Sequence, residues 1–403
     1  MAGASKVLIV GGGIGGLTAA LACARAGMQV ELFERALEFG EVGAGLQIPP
    51  NAMKVLRALG AAGRVSRDAV RPTALQMRFG QSGRFVFDVP LGAAAERRWG
   101  APYLHIHRAD YIEALRDLVA GTPGITLHLG HSVTGLASTE ACASLRLADG
   151  MQVTGDVIVG ADGLHSVVRD WLHGDDSPIY TGNMAWRATV PAAQLEGDAP
   201  EAAACVWVGA GRHAVTYRLR GGAMANLVGV VEVGRFGQSP REGWMQAGDK
   251  ADALSDFKGW HPTVRRILEA VPNGALFRWP LYDRKPLPFW SRGRVTLLGD
   301  AAHPMLPFMA QGAAMATEDA WVLARELSRD VPVPEALAAY EAARLPRSAK
   351  VQAASRANMT TFHRRTLLSQ LATYGPMHLA GRFAPRLVRR RLDWLYGFDA
   401  VDP

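Results

Sequence analysis

An α/β fold with a second, antiparallel sheet and a helical C-terminal segment is predicted from three observations. The apolar run Val7-Leu8-Ile9-Val10 leads straight into glycines and then into an Ala-rich helical stretch. The segments 73–90 and about 180–235 instead alternate polar and apolar residues, with turns such as Gly209-Ala210-Gly211 and Arg220-Gly221-Gly222. Beyond Pro346 the pattern is helical, with a break expected at Tyr374-Gly375-Pro376. A continuous apolar strand belongs in a parallel sheet buried on both faces, whereas alternation belongs in a sheet with one wet face.

Taken in order, residues 7–10, 17–26 and 30–33 form a strand, a helix and a strand: a βαβ unit of about 30 residues. Residues 51–59 read as an amphipathic helix with Asn51 as its N-cap. The alternating stretch at 73–90 reads as a hairpin around a Gly turn. A helix at 109–119 follows, then strands at 125–129, 144–147 and 157–159. The strand-rich region from 180 to 235 is the second sheet. A buried strand at 295–298 and a helix at 313–327 return to the first. The expected partition is 1–72, 98–177 and 270–330 for the first domain, 73–97 and 178–269 for the sheet domain, and 331–403 for the helical segment.

Composition narrows the classes of function. The chain has 403 residues, 49% hydrophobic and 20% charged, ordinary for a globular enzyme. Cys23, Cys142 and Cys205 are scattered without a CxxC, so neither a disulfide framework nor a metal site is expected, and a reducing, cytoplasmic setting is. Residues 6–10 are too short an apolar run for a signal peptide, and no run is long enough for a membrane span. The net charge of +7 lies wholly in the tail: from residue 341 on there are eleven Lys or Arg against four Asp or Glu. A solvated helix face that helps docking or forms a homodimer accounts for it, and nucleic acid is not expected because no aromatic platform accompanies the arginines.

Three motifs carry chemistry. In Gly11-Gly12-Gly13-Ile14-Gly15-Gly16, Gly11 permits the tight turn, Gly13 lets backbone approach a pyrophosphate, and Gly16 lets the helix pack closely. Phosphate would then sit on free amides at the positive end of the helix. Glu34 ends the second strand, where a carboxylate accepts hydrogen bonds from ribose hydroxyls and repels a 2′-phosphate. NAD and FAD both fit this first motif. The second, Gly160-Ala161-Asp162-Gly163 running on to Arg169, is a strand, a tight turn and a helix start. The third runs from Gly299-Asp300-Ala301-Ala302-His303-Pro304 through Pro307 to Gln311-Gly312-Ala313-Ala314. There Asp300 can accept from a ribityl hydroxyl, and Gly312 to Ala314 present helix N-terminal amides to an electron-rich flavin edge.

In this order and spacing, the three motifs resemble those of the group A FAD-dependent aromatic monooxygenases, in the branch of salicylate hydroxylase, 6-hydroxynicotinate 3-monooxygenase and 3-hydroxybenzoate 6-hydroxylase. Further matches are the stretch 43–52, His107-Arg108 and the ending Asp393-Trp394-Leu395-Tyr396-Gly397. The resemblance implies a Rossmann-type FAD-binding domain like that of para-hydroxybenzoate hydroxylase, with an inserted antiparallel substrate sheet and a helical tail. It implies that Gly11, Gly13, Gly16, Glu34 and Arg35 hold the ADP half of FAD, with Val133 on the adenine side. Arg108 falls near the ribityl–phosphate chain, Asp162 in the motif shared with the nicotinamide cofactor, and Gln47, Asp300, Pro307, Gly312, Ala313 and Ala314 around ribityl and isoalloxazine.

The implied reaction uses NADH or NADPH to reduce FAD, and reduced flavin traps O₂ as a C4a-hydroperoxide that an electron-rich ring attacks. The partners are a small aromatic acid and O₂. A base near the ring hydroxyl would favour the attack. His213 and Tyr217, spaced to share one face of a strand, match a His-x-x-x-Tyr pair of that branch. Arg84, Arg187 and Arg218 are candidates for the substrate carboxylate, and His303 reads as a loop support. Pro307 and Gln311-Gly312 depart from the 3-hydroxybenzoate 6-hydroxylase pattern toward the salicylate and 6-hydroxynicotinate enzymes, which favours ortho or ipso attack, with CO₂ leaving where the attacked carbon bears a carboxylate. The alternatives are an FAD oxidase or dehydrogenase that inserts no oxygen, and a non-catalytic redox sensor.

Overall fold

The structure, a computed structural model, describes residues 4–40, 45–174, 177–234 and 246–402. Its first sheet has six strands in the order Ser291–Arg292, Val295–Leu297, Val157–Gly160, β1 (Lys6–Val10), β2 (Gln29–Glu34) and Ile125–Leu129. All neighbours are parallel except the first pair. Val7, Leu8 and Ile9 are fully buried, each worth about 1.5–3 kcal/mol by removal from water. The chain leaves β1 through helix α1 (Ile14–Arg25) toward β2 on one side and comes back to Val157–Gly160 on the other. The carboxyl end of β1 is therefore the topological switch point, where such sheets bind ligands.

The second sheet has eight strands, from Gln246–Ala247 at one edge through Phe277–Asp283, Ile179–Pro191, Met224–Glu232, Arg212–Leu219, Ala204–Gly209 and Ala74–Phe79 to Phe85–Pro90 at the other. Only the contact between Ala204–Gly209 and Ala74–Phe79 is parallel. The expected wet face is absent. Helices Lys250–Asp256 and Pro262–Ala270 cover one face through Trp186, Phe257 and Ile267, and the other packs on Leu306, Phe308 and Phe362. The strand Phe277–Asp283 also belongs here by its pairing with Ile179–Pro191, so the segment expected to rejoin the first layer at 270 does so only from Ser291.

Two helices depart from expectation. The helix predicted from Asn51 is Pro50–Ala58, capped by Pro49 in extended conformation with Pro at its first turn. Proline suits that position because its missing N–H would be unpaired there anyway. The break expected at 374–376 does not occur: Leu367–Phe383 runs through Pro376, as Val333–Phe362 runs through Pro346. The interruption lies instead between those two helices, where Thr366 and Ser369 make a reciprocal capping box. No helix among the described residues is long and apolar enough to cross a membrane.

The helical tail is stitched to the first layer. Lys54 donates to the Gly397 and Phe398 carbonyl oxygens, Arg98 and Trp99 donate to Asp393, and Arg347 donates to Glu318 and to the Trp394 and Leu395 carbonyls.

Candidate active site

At the switch point each glycine is used differently. Gly11 has φ +103°, and a Cβ there would lie 2.5 Å from the Ala161 carbonyl oxygen. A Cβ on Gly16 would lie 1.9 Å from the Gly11 oxygen. Gly13 is extended, and its Cβ would meet nothing within 4 Å. Backbone is thus packed against backbone at the first and third positions and bare at the second, which is the arrangement a pyrophosphate needs. Helix α1 carries neither a side-chain cap nor an acid in its first turn, leaving its N-terminal amides for an anion.

Glu34 braces this loop by accepting from Gly12 N at 2.7 Å and Ala36 N at 2.9 Å. A carboxylate has about four acceptor sites, so capacity for ribose hydroxyls remains. Arg35 is exposed beside it; burial, then Arg284 and Arg169, and after them Arg35, hold His165 below the usual imidazole value. Val133 is half-buried in the small sheet 133–155 against the first core. Of the stretch 43–52, Gly43 and Ala44 lie outside the described residues.

Asp162 and Asp300 end neighbouring loops over the same crevice. Ser166 Oγ donates to Asp162 at 2.5 Å, and burial raises that carboxyl against this help. Arg169, fully buried, donates to the Leu164 and Ala301 carbonyls and so ties the second motif to the third. Asp300 is open to solvent along the crevice, yet dense surrounding protein pushes its carboxyl above the usual range, with His303 and Arg108 pulling back.

A Cβ on Gly312 would lie 3.8 Å from Asp300 Oδ1, so the aspartate faces the start of helix Gly312–Leu327. That helix also lacks a side-chain cap and an acid in its first turn. Its N-cap residue Gln311 turns its side chain to accept from Asn51 instead. Asn51, expected as an N-cap, also donates to Glu318 at 2.6 Å. His303 is a loop support: its Nε2 lies 2.5 Å from Asp319, which also accepts from Gly299 N.

The second sheet supplies the other wall. By register, His213, Val215 and Tyr217 share a face with Val230, Val228 and Asn226 on one neighbour and with Val208, Val206 and Ala204 on the other. Arg187, paired with Val228, lies on the same face one strand further. Over this face is a cavity of about 670 Å³. Leu75, Met77, Val206, Val215 and His213 form its floor, and Pro307, Phe308 and the tail helices its roof, with Gln47 and Tyr103 at one end. Tyr103 donates to Gln47 Oε1 at 2.6 Å.

His213 is thus in the cavity wall. Tyr217 is not among the described lining residues; it packs on His105 with ring centroids 4.6 Å apart and closes over Gly45. Burial raises the Tyr217 hydroxyl, opposed by Arg187, and burial and then His363 hold His213 well below the usual imidazole value. The three arginines separate. Arg84 is exposed, and Arg218 donates to the Pro200 carbonyl. Arg187 lies 4.3 Å over the Trp279 ring, pushed down to about 10 by burial, with Arg108 adding to the effect.

A parallel sheet whose switch point joins a bare glycine turn, a carboxylate ending the second strand, two further aspartates and an uncapped helix defines an FAD-binding oxidoreductase. The residues present fit that cofactor, down to the one glycine that leaves its cradle open. Residues 4–242 and 276–355 match the FAD binding domain family. A 6-hydroxynicotinate 3-monooxygenase of Bordetella bronchiseptica is 37% identical over 89% of this chain and 92% of its own. A 3-hydroxybenzoate 6-hydroxylase of Klebsiella oxytoca is 37% identical over 99% and 98%. Among solved structures, Klebsiella pneumoniae HpxO complexed with FAD and uric acid has TM-score 0.85 at 26% identity, covering 97% of both chains. A salicylate hydroxylase substrate complex has 0.81 at 26%, covering 99% of this chain and 98% of that one. The chain belongs to this family, as a flavoprotein aromatic monooxygenase that binds FAD.

Sequence reasoning missed His363, whose Nε2 lies 2.7 Å from His213 Nδ1. The two are 150 residues apart, and no local pattern links a strand histidine to one that follows a helix.

Proposed function

We propose that the protein hydroxylates a small aromatic acid bearing a ring hydroxyl, consuming NADH or NADPH and O₂. The observation that carries this is the 670 Å³ cavity with His213 in a largely apolar floor, beneath the Pro307 loop that leads into the helix N-terminus at Gly312. FAD, once bound and reduced by a nicotinamide nucleotide, supplies an electrophilic oxygen atom from O₂.

The chain's own residues do the rest. Gly11, Gly13, Gly16, Glu34 and Arg35 hold the ADP half, with Val133 beside the adenine and Arg108 and Asp162 along the connecting chain. Asp300 and Gln47 bind near the ribityl and ring, Pro307 covers it, and the amides of Gly312, Ala313 and Ala314 favour negative charge there. His213 takes the proton from the ring hydroxyl, which makes the ring a stronger nucleophile. Tyr217, kept neutral by burial, orients the substrate as a donor. Arg187, a half-buried cation stacked on Trp279, anchors the carboxylate. The apolar walls exclude water.

The stretch 305–313 supports ortho or ipso attack, with loss of CO₂ where the attacked carbon bears the carboxylate. A homodimer belongs to the same proposal. Leu367, Leu368, Leu371, Leu379 and Phe383 stand exposed on one helix, and sedimentation velocity reads the mass directly.

The test is NADH oxidation and oxygen uptake by the FAD-loaded protein across hydroxybenzoates and hydroxypyridine carboxylates, with products weighed. One aromatic should accelerate NADH use and gain one oxygen, with CO₂ matching NADH for salicylate or 6-hydroxynicotinate. Steady NADH use without oxygenation of any aromatic makes the protein an oxidase. His213→Asn should lower kcat by about 10²–10⁴ with little change in FAD content.

A further inference from the structure

A base buried at the bottom of an apolar cavity needs an outlet for the proton it takes up, because an apolar site stabilises a buried charge poorly. His213 is 2% exposed and lines the cavity, and its Nδ1 is taken up by His363 Nε2 at 2.7 Å. Among the described residues its Nε2 has no protein partner. His363, 4% exposed, sets its Nδ1 3.1 Å from Glu232 Oε1. The Glu232 side chain is 25% exposed, and its Oε2 meets Arg365, whose side chain is 75% exposed. Exposure thus rises from the two buried histidines to Glu232 and then to Arg365. His363 and Glu232 also line a second cavity, of about 380 Å³, with Thr181 and Asn183. The row of side chains therefore spans the wall between two cavities.

The three residues come from three elements: the strand Arg212–Leu219, the end of its neighbour Met224–Glu232, and the residue that caps helix Val333–Phe362. Anchoring that helix end would need one hydrogen bond. Two imidazoles and a carboxylate joined end to end, with His363 using both of its nitrogens and His213 keeping one for the cavity, do more. An imidazole with one N–H and one lone pair accepts at one nitrogen and donates at the other. The sequence of contacts admits one consistent set of tautomers: His363 Nδ1–H donates to Glu232, His213 Nδ1–H donates to His363, and the His213 Nε2 lone pair faces the cavity.

We propose that His213, His363 and Glu232 form a proton wire from the substrate cavity to solvent. The wire rests on the hydroxylase function proposed above and extends it to two residues that touch no substrate. The ring O–H bond breaks, its electron pair stays on oxygen as a phenolate, and the proton joins His213 Nε2. The His213 Nδ1 proton passes to His363 Nε2, and the His363 Nδ1 proton to Glu232 Oε1 and then to water. No electrons change hands, and the reverse passage re-protonates the product oxygen and restores both tautomers. The charges facing His363 are Glu232, which favours its protonation, and Arg365 and Arg212, which oppose it. Burial, the largest influence, depresses both histidines, so each passes the proton on rather than storing it.

The test uses FAD-loaded protein and the chromophoric ligand 3-hydroxy-4-nitrobenzoate in rapid mixing, without NADH. Phenolate absorbance reports ionisation, and a pH-indicator dye reports proton release. Wild type should form phenolate and release the proton together. His363→Phe should slow release about ten-fold or more with the ligand Kd nearly unchanged, Glu232→Gln should slow it too, and added imidazole should partly rescue His363→Ala. Release at the wild-type rate in His363→Phe overturns the wire. A wild type that binds the ligand without ionising it overturns the base role of His213 instead. Should the variants fail to fold, release from wild type in H₂O–D₂O mixtures decides: a bowed dependence on deuterium fraction means several protons in flight, and a straight line removes the wire.

Discussion

A methyl group added at Gly16 would meet the Gly11 carbonyl oxygen at 1.9 Å, and one added at Gly13 would meet nothing within 4 Å. The two substitutions should therefore part company. Gly13→Ala should fold with an unchanged melting temperature in the absence of FAD but bind FAD about ten-fold or more weakly, because only the ligand occupies that approach. Gly16→Ala should lower the melting temperature of the cofactor-free protein itself. Calorimetry on flavin-stripped protein separates them, and equal melting losses would contradict the division of roles.

His105 makes the pH prediction at this scale. It is fully buried, neither ring nitrogen finds a hydrogen-bond partner among the described residues, and burial holds its pKa at about 3 against an ordinary 6.5. Above 6.5 neither the folded nor the unfolded chain binds this proton. As pH falls below 6.5 the unfolded chain takes it up and the folded chain does not, so stability is lost progressively down to about 3, at roughly 1.4 kcal/mol per pH unit. His213 and His363 shift in the same direction. Urea midpoints should fall between pH 7.5 and pH 5, less so in His105→Phe, which keeps the ring against Tyr217; pH-independent midpoints would refute the assignment.

At the scale of elements, helix Gly312–Leu327 places Glu318 and Asp319 in the core with no exposed surface. Arg344, also fully buried, reaches both at 2.7 Å from helix Val333–Phe362. Its guanidinium and the imidazole of His303 hold Asp319 below the usual carboxylate range. Arg344→Met should cost about 3–5 kcal/mol in chemical denaturation, since it removes the buried cation that reaches both carboxylates. A loss under 1 kcal/mol would mean they protonate at little cost.

Legibility at this scale followed locality. The βαβ unit could be read because strand, glycine turn and helix are each dictated by neighbours in sequence. Asn51 suggested an N-cap by residue type, but Pro50 already starts the helix, and the amide is drawn inside by Gln311 and Glu318, some 260 residues on. Tyr374-Gly375-Pro376 suggested a break, yet Tyr374 is buried and its hydroxyl donates to the Thr361 carbonyl, fixing the helix from outside. Alternation in the second sheet suggested a wet face because nothing local says that helices from 250–270 will cover it. The glycine turn at the switch point was legible for the same reason as the βαβ unit. The substrate side was not: that Arg187 shares the His213 face and stacks on Trp279, while Arg84 is exposed, emerges only from the strand register and the fold.

At the scale of the molecule, FAD would join the two turns of the first sheet to the cavity under the second. A ligand that binds only the folded state stabilises it by mass action, by about 3 kcal/mol at a hundred times its Kd. Stripping FAD should therefore lower the melting temperature, and re-addition should restore it in a concentration-dependent way. A melting temperature indifferent to FAD would mean that the crevice does not hold it.

The stitching of the tail also bears on how the protein is made. On the ribosome, Lys54, Arg98 and the Glu318–Asp319 pair emerge well before residues 344–399, which supply their counter-charges and carbonyls. Until then a nascent chain with both sheets available carries two carboxylates that have no arginine to face. Closure of the first layer is thus timed by the last stretch to be synthesised, and a ribosome stalled near residue 340 would display a chain that proteases still recognise as unfolded.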